Sequence, residues 1–150
     1  MTIPGFDVKS TARYGLALLR IALGIAFVIH GWSKLSGGVD GFAGFIGGTL
    51  GVPLPGLMAW VVTIVELVGG ILLIVGFLTQ IAGILLALDM LGAIIFAFLG
   101  QGRPFIDGGA ITWEKELVFG IAALCIALAG PGAWSVDDVY GETRTRARVA

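Results

Sequence analysis

A helix needs roughly 20 apolar residues to span a hydrocarbon core of about 30 Å, and four apolar runs of about that length follow one another along this chain. They extend from about Tyr14 to Leu35, Gly56 to Phe77, Thr79 to Leu99 and Trp113 to Gly130. Only 13% of the 150 residues are charged, about half the share of a soluble globular domain, and the mean hydropathy is +1.01. So many apolar side chains need lipid as their solvent. The pattern predicts an all-α fold, an integral membrane four-helix bundle, with no room for a large extramembrane domain. The first run is read as a retained helix rather than a secretory leader, because Trp32, Lys34 and Leu35 follow it where a small-x-small cleavage site would stand.

The punctuation between the runs sets the topology. Little more than Gly76, Thr79 and Gln80 separates the second run from the third, so these two form a tight antiparallel hairpin. Pro53 and Pro55 precede the second helix and Pro131 closes the fourth, positions where a residue without an N–H is tolerated. Lys9 and Arg13 precede the first helix, and Arg144, Arg146 and Arg148 follow the last. The positive-inside rule then predicts that both termini are cytoplasmic. This divides the chain into an N-terminal cytoplasmic segment (1–13), a transmembrane domain (14–132) and a cytoplasmic tail (133–150). The longer outer loop, Ser36 to Pro55, carries Phe42, Phe45, Ile46 and Leu50 at helical spacing. It is expected to form an interfacial or re-entrant segment between the first and second helices. Trp32, Trp60, Trp113 and Trp134 read as interfacial anchors.

A formal net charge of -1 lacks the cationic surplus that neutralises phosphates, which argues against nucleic acid as a partner. The single cysteine, Cys125, excludes an internal disulfide and reads as a small core residue.

The residues that conflict with lipid carry the functional information. Arg20, His30 and Lys34 fall in the first run, Glu66 in the second and Asp89 in the third; each is costly against acyl chains and should turn inward to a partner. At 100° per residue, Arg20, Gly24, Phe27, Gly31 and Lys34 share one face, with His30 at its edge, and Glu66 shares a face with Ala59, Thr63 and Gly70. Glu66 and Asp89 fall near the middle of their helices, Arg20 slightly to the cytoplasmic side, and His30 and Lys34 toward the outer surface. Arg20 cannot discharge, so it is expected to pair with Glu66 or Asp89. The remaining carboxyl is then either protonated at neutral pH or compensated by a charged His30, and a carboxyl poised in this way could relay protons. A purely structural clasp fits the same residues. Lys34 reads as a snorkelling anchor at a helix end, and Glu114, Lys115 and Glu116 as the polar start of the fourth helix.

The succession Arg20, Leu23-Gly24, Phe27, His30-Gly31, Lys34-Leu35, Gly51, Pro53-Leu54-Pro55, Glu66 and Gly69-Gly70 resembles the DoxX family, as do Gly76 with Thr79, Met90 with Ala93, Gly108-Gly109, Gly130-Pro131-Gly132 and Ser135-Val136-Asp137. The resemblance covers residues 14–138. It implies a four-helix protein of the bacterial inner membrane, related to the membrane subunit of a thiosulfate:quinone oxidoreductase, with some relatives acting as membrane partners of enzymes that handle thiols and superoxide. It places Arg20, His30, Lys34 and Glu66 on recurrent polar positions of the family, and Glu114 or Glu116 on its acidic residue after Gly-Gly. The chain departs from the family where many relatives carry a polar residue late in the third helix, here Ile94, Ile95, Phe96, Ala97 and Phe98.

Three functions fit these residues. In the first, the chain is a redox-linked subunit whose Arg20, His30, Glu66 and Asp89 cluster receives a quinone headgroup. One histidine and one cysteine supply neither the paired axial ligands of a membrane haem nor an iron–sulfur cluster, so a partner protein would donate the electrons. No covalent cofactor and no metal is expected. The second is a proton-coupled small-molecule transporter, working as a homo-oligomer because four short helices enclose little volume. The third is a non-catalytic assembly subunit.

Overall fold

A computed structural model describes residues 7–140. The tail arginines Arg144, Arg146 and Arg148 and the side chain of Lys9 lie outside the described residues. In chain order the helices are α1 (Val8–Gly37), α2 (Val39–Gly48), α3 (Pro55–Val75), α4 (Thr79–Ala93) and α5 (Glu114–Ala129). A π-helical stretch, Ile94–Leu99, continues α4, and β1 (Ile106–Asp107) pairs antiparallel with β2 (Ala110–Ile111) before α5.

Three of these helical segments, α1, α3 and α4 with its π-helical continuation, are long and apolar enough to cross a membrane. The helix α5 has 16 residues. It turns Val118, Ile121, Leu124 and Leu128 outward, and Cys125 is exposed with them rather than packed in the core as expected. The predicted runs and the observed helices agree closely except at the start of α1, which begins at Val8 rather than Tyr14. The segment between α1 and α3 holds the helix α2, with Val39 and Ile46 buried against Ala59 of α3.

The core joins Leu23 and Phe27 of α1, Leu73 of α3, Leu86 and Met90 of α4, and Ala123 and Ile126 of α5. Most of the packing runs along two pairs, α1 with α3 and α4 with α5, which the α3–α4 turn connects. The first pair meets backbone to backbone: a Cβ on Gly24 would sit 2.7 Å from the carbonyl oxygen of Gly70, and one on Gly70 equally close to that of Gly24. Close approach through small residues is how apolar helices associate in lipid, where no hydrophobic drive separates helix from solvent.

Arg20 departs from expectation. It is fully buried, yet it pairs with neither Glu66 nor Asp89. Its Nη1 donates to the carbonyls of Leu73 (2.5 Å) and Ile74 (3.2 Å), and its Nη2 to those of Ala133 (3.3 Å) and Trp134 (2.9 Å). The first two carbonyls lie in the last turn of α3, where a helix leaves oxygens without amide partners and carries its negative dipole end. About 18 Å of α1 precedes Arg20, twice what an apolar run starting at Tyr14 implies. The residue stands level with the α3–α4 turn.

That turn is closed by the segment after α5. Asp137 accepts from the amides of Leu78 (3.0 Å) and Thr79 (2.8 Å) at the start of α4, and its own N–H donates to the carbonyl of Gly76 (2.9 Å). An acidic side chain from a distant segment thus caps α4, whose own preceding residue, Leu78, supplies no side-chain cap. Gly76 has φ +72°, and a Cβ there would collide with Arg20 Nη1. Arg13 pairs with Asp138, and the N–H of Ala133 donates to the carbonyl of Arg13.

Replacing Arg20 with Gln is expected to lower stability by about 3 kcal/mol, because it strips charged hydrogen bonds from buried carbonyls. Asp137→Ala is expected to cost about 1 kcal/mol, as loss of a helix cap does. Thermal unfolding in detergent reads both, and equal losses would contradict the different roles assigned to them.

Candidate functional site

Toward the other end of the bundle the helix pairs separate around a cavity of about 450 Å³. Its walls are mostly apolar and aromatic, and its polar groups are His30, Lys34, Glu66, Asp89, Lys115 and Glu116. Three of the four residues expected to cluster (His30, Glu66 and Asp89) therefore meet there, without Arg20. Of the secondary candidates, Lys34 and Glu116 line the cavity, while Glu114 is exposed outside it.

The ammonium of Lys34 forms an ion pair with Glu66, whose side chain is 5% exposed against 20% for Lys34. Lys34 is thus a half-buried ion-pair partner of Glu66 rather than a free anchor. The helix α2 holds it in place: Phe42 sets its ring face 5.3 Å from Nζ, a cation–π arrangement that stabilises a cation withdrawn from water. The segment expected to be interfacial or re-entrant thus contributes Phe42, Phe45 and Ile46 to a wall of the site.

Asp89 stands beside the Lys34–Glu66 pair, within electrostatic reach of both. Its Oδ2 is buried and makes no hydrogen bond. Among the described residues, Lys34 is the cation that acts on both carboxyls, so two acids share one cation, and the members differ from those expected. Lys34 replaces Arg20 as the cation, Glu66 is the satisfied acid and Asp89 the extra one.

His30, one turn before Lys34 on α1, lies edge-on to Phe119 with centroids 6.3 Å apart, and Phe119 in turn packs edge-on against Phe27. The charges of Lys115, Glu66, Lys34 and Glu116 all reach the imidazole. Lys115 and Glu116 face each other at 3.3 Å at the start of α5. The π-helical stretch contributes Phe96 and Ala97 to the wall; widened turns of this kind recur at functional sites.

Several of these contributors escaped the sequence reading. Phe119 and Phe96 lie in apolar runs where nothing marks one aromatic from another. Lys115 is adjacent to two glutamates and looked like part of a solvated start. The β-hairpin had a visible signal in Gly108-Gly109, whose φ values of 56° and 87° suit a two-residue turn.

The sequence profile of the DoxX family matches residues 15–99. The chain belongs to the DoxX family. Among its DoxX relatives is a Bacillus subtilis protein named "Putative oxidoreductase CatD", 44% identical over 87% of this chain and 90% of its own length. Two Escherichia coli proteins are also similar: the inner membrane protein YphA, 31% identical over 91% of this chain and 97% of its own length, and the inner membrane protein YqjF, 30% identical over 90% and 98%. No solved structure matches at a significant level. The relatives and the apolar helices identify the DoxX chain as a bacterial membrane protein.

Removing one partner of a buried ion pair leaves an uncompensated charge, at a cost of about 3 to 5 kcal/mol. Lys34→Met and Glu66→Met are each expected to destabilise the DoxX chain by that order, and the double variant by clearly less than their sum. A thermal-unfolding double-mutant cycle in detergent measures the coupling, and additivity would show that the pair contributes nothing to the fold.

Proposed function

We propose that this DoxX protein is a redox-linked subunit of the bacterial inner membrane whose cavity receives a quinone headgroup. The observation that carries the reading is the composition of the cavity. Apolar and aromatic walls surround a few convergent polar groups, the form that sites for small planar ligands take. A quinone carbonyl needs hydrogen-bond donors, and Lys34 and His30 offer them. Reduction of a quinone to a quinol consumes two electrons and two protons. Asp89, the surplus carboxyl, delivers one proton to a ring oxygen, His30 passes the second from water to the other ring oxygen, both groups are reprotonated from water, and Glu66 holds Lys34 in position. The electrons come from a partner protein of oxidoreductase class. The name carried by the Bacillus subtilis relative supports a redox setting, and the site residues now proposed are His30, Lys34, Glu66 and Asp89. Arg20 is assigned to the fold.

The proposed membrane arrangement has four crossings. The helix α5 is about 24 Å long, near the hydrocarbon thickness, and carries apolar residues on its outer face. Both termini are cytoplasmic, the α3–α4 turn faces the cytoplasm, and α2 lies as an interfacial or re-entrant cap over the outer half of the bundle. The cavity then opens toward the outer leaflet.

Saturable binding of a quinone to the purified protein in nanodiscs is expected, lost by at least tenfold in Glu66→Gln and Asp89→Asn with the fold retained. Retention of full affinity in both variants would remove the site from this cavity. A topology reading is independent of it. Single cysteines placed at position 77 in a Cys125→Ser background should be shielded from an impermeant thiol reagent added outside intact cells, and cysteines at position 107 should be labelled. The reverse pattern would invert the orientation.

A further inference from the structure

The cavity has a lipid-facing side. The helices α3 and α4 are in contact where Leu86 lies against Gly69, whose Cβ would sit 3.2 Å from Leu86 Cγ. Beyond that point, away from their shared turn, both helices contribute cavity walls. Five apolar wall residues are also exposed on the outside of the bundle: Phe45 of α2 at 50%, and on the α3–α4 side Val61 at 42%, Leu85 at 45%, Leu88 at 59% and Phe96 at 36%; the one charged liner exposed among the described residues, Lys115, stands apart from them at the start of α5. A residue that both lines a cavity and faces outward stands at its mouth. The neighbouring outward residues on α3 and α4 are Leu57, Ile64, Ile81 and Leu91, so this mouth opens into hydrocarbon. Glu66, in contrast, is 3% exposed, deep behind the mouth.

An apolar mouth over a charged interior suits one kind of molecule. A water-soluble thiol or sulfur anion would have to leave water and cross hydrocarbon to pass between Val61 and Leu88, at a prohibitive cost of desolvation. An amphiphile already dissolved in the bilayer loses nothing by that path. A volume of about 450 Å³ accommodates a ring-sized head and leaves no room for a long chain, which must remain between the lips and in lipid.

Building on the quinone reading above, we infer that the site is loaded sideways from the membrane, through the gap between α3 and α4, by a tailed amphiphile. The polar head reaches Lys34, Glu66 and Asp89, and the isoprenoid or alkyl tail lies across Val61, Leu85 and Leu88.

The test compares decylubiquinone with its tail-less ring on wild-type protein and on Val61→Trp and Leu88→Trp, all in nanodiscs of one lipid composition. Partitioning of each probe into lipid is then the same for every protein, and the substituted positions face outward, so the fold is retained. The lip variants are expected to bind decylubiquinone at least tenfold more weakly while binding of the tail-less ring changes less than twofold. Unchanged binding of both probes, or equal loss of both, would overturn the sideways route and leave the quinone reading standing. Absence of binding by either probe to the wild-type protein would overturn both.

Discussion

A guanidinium inside a membrane protein cannot shed its charge, and the place where Arg20 puts that charge organises the rest of the bundle. The carbonyls in the last turn of α3 are short of amide donors: that of Leu73 has only a share of the Gly76 N–H, at 3.2 Å. Arg20 satisfies them from α1 and, with its second nitrogen, holds the segment that follows α5. The same segment delivers Asp137 to the start of α4. One turn between two helices is thereby secured by a cation on its carbonyl side and an anion on its amide side, drawn from residues far apart in the chain. Once Arg20 is committed there, the carboxyls at the other end must share Lys34, and the unequal charge of the cavity follows.

The residues on which the DoxX resemblance rested therefore divide between two tasks. Arg20, Gly76, Thr79, Gly132, Ser135 and Asp137 gather at the turn, where they fasten backbone to backbone. His30, Lys34, Glu66 and Met90 gather around the cavity. Gly24 and Gly70 connect the two regions by letting α1 and α3 approach closely along their length.

Much of this architecture was legible because lipid imposes a length and a composition on any segment that crosses it. The helix spans, the tight α3–α4 turn and the inward face of α1 all follow from apolar run length and a period of 3.6 residues. Partner choice does not. A helical wheel tells which residues share a face, but neither which helix lies opposite nor how far one is shifted along the other. The shift decided the case of Arg20: α1 extends well past the end of α3, so residues equally near the middle of their runs lie at different heights. Lys34 was misread for the same reason, since a helix end in sequence is not a bundle end when α2 and the first turns of α3 continue beyond it. The π-helical stretch at Ile94–Leu99 had no signal, because its residues are as apolar as those of any spanning helix.

Glu66 and Asp89 sit on two different arms that meet at Gly76. Each arm is about 15 to 20 Å long from the turn to its carboxyl, at 1.5 Å of rise per residue. Such a pair works like dividers: a rocking of about 5° at the pivot changes the gap between the tips by about 1.5 Å on those arm lengths. Lys34 travels with the arm that carries Glu66, because Gly24 and Gly31 lock α1 to α3. The distance from Asp89 to its nearest cation is therefore set at the far end of the molecule, by the clasp that holds the turn.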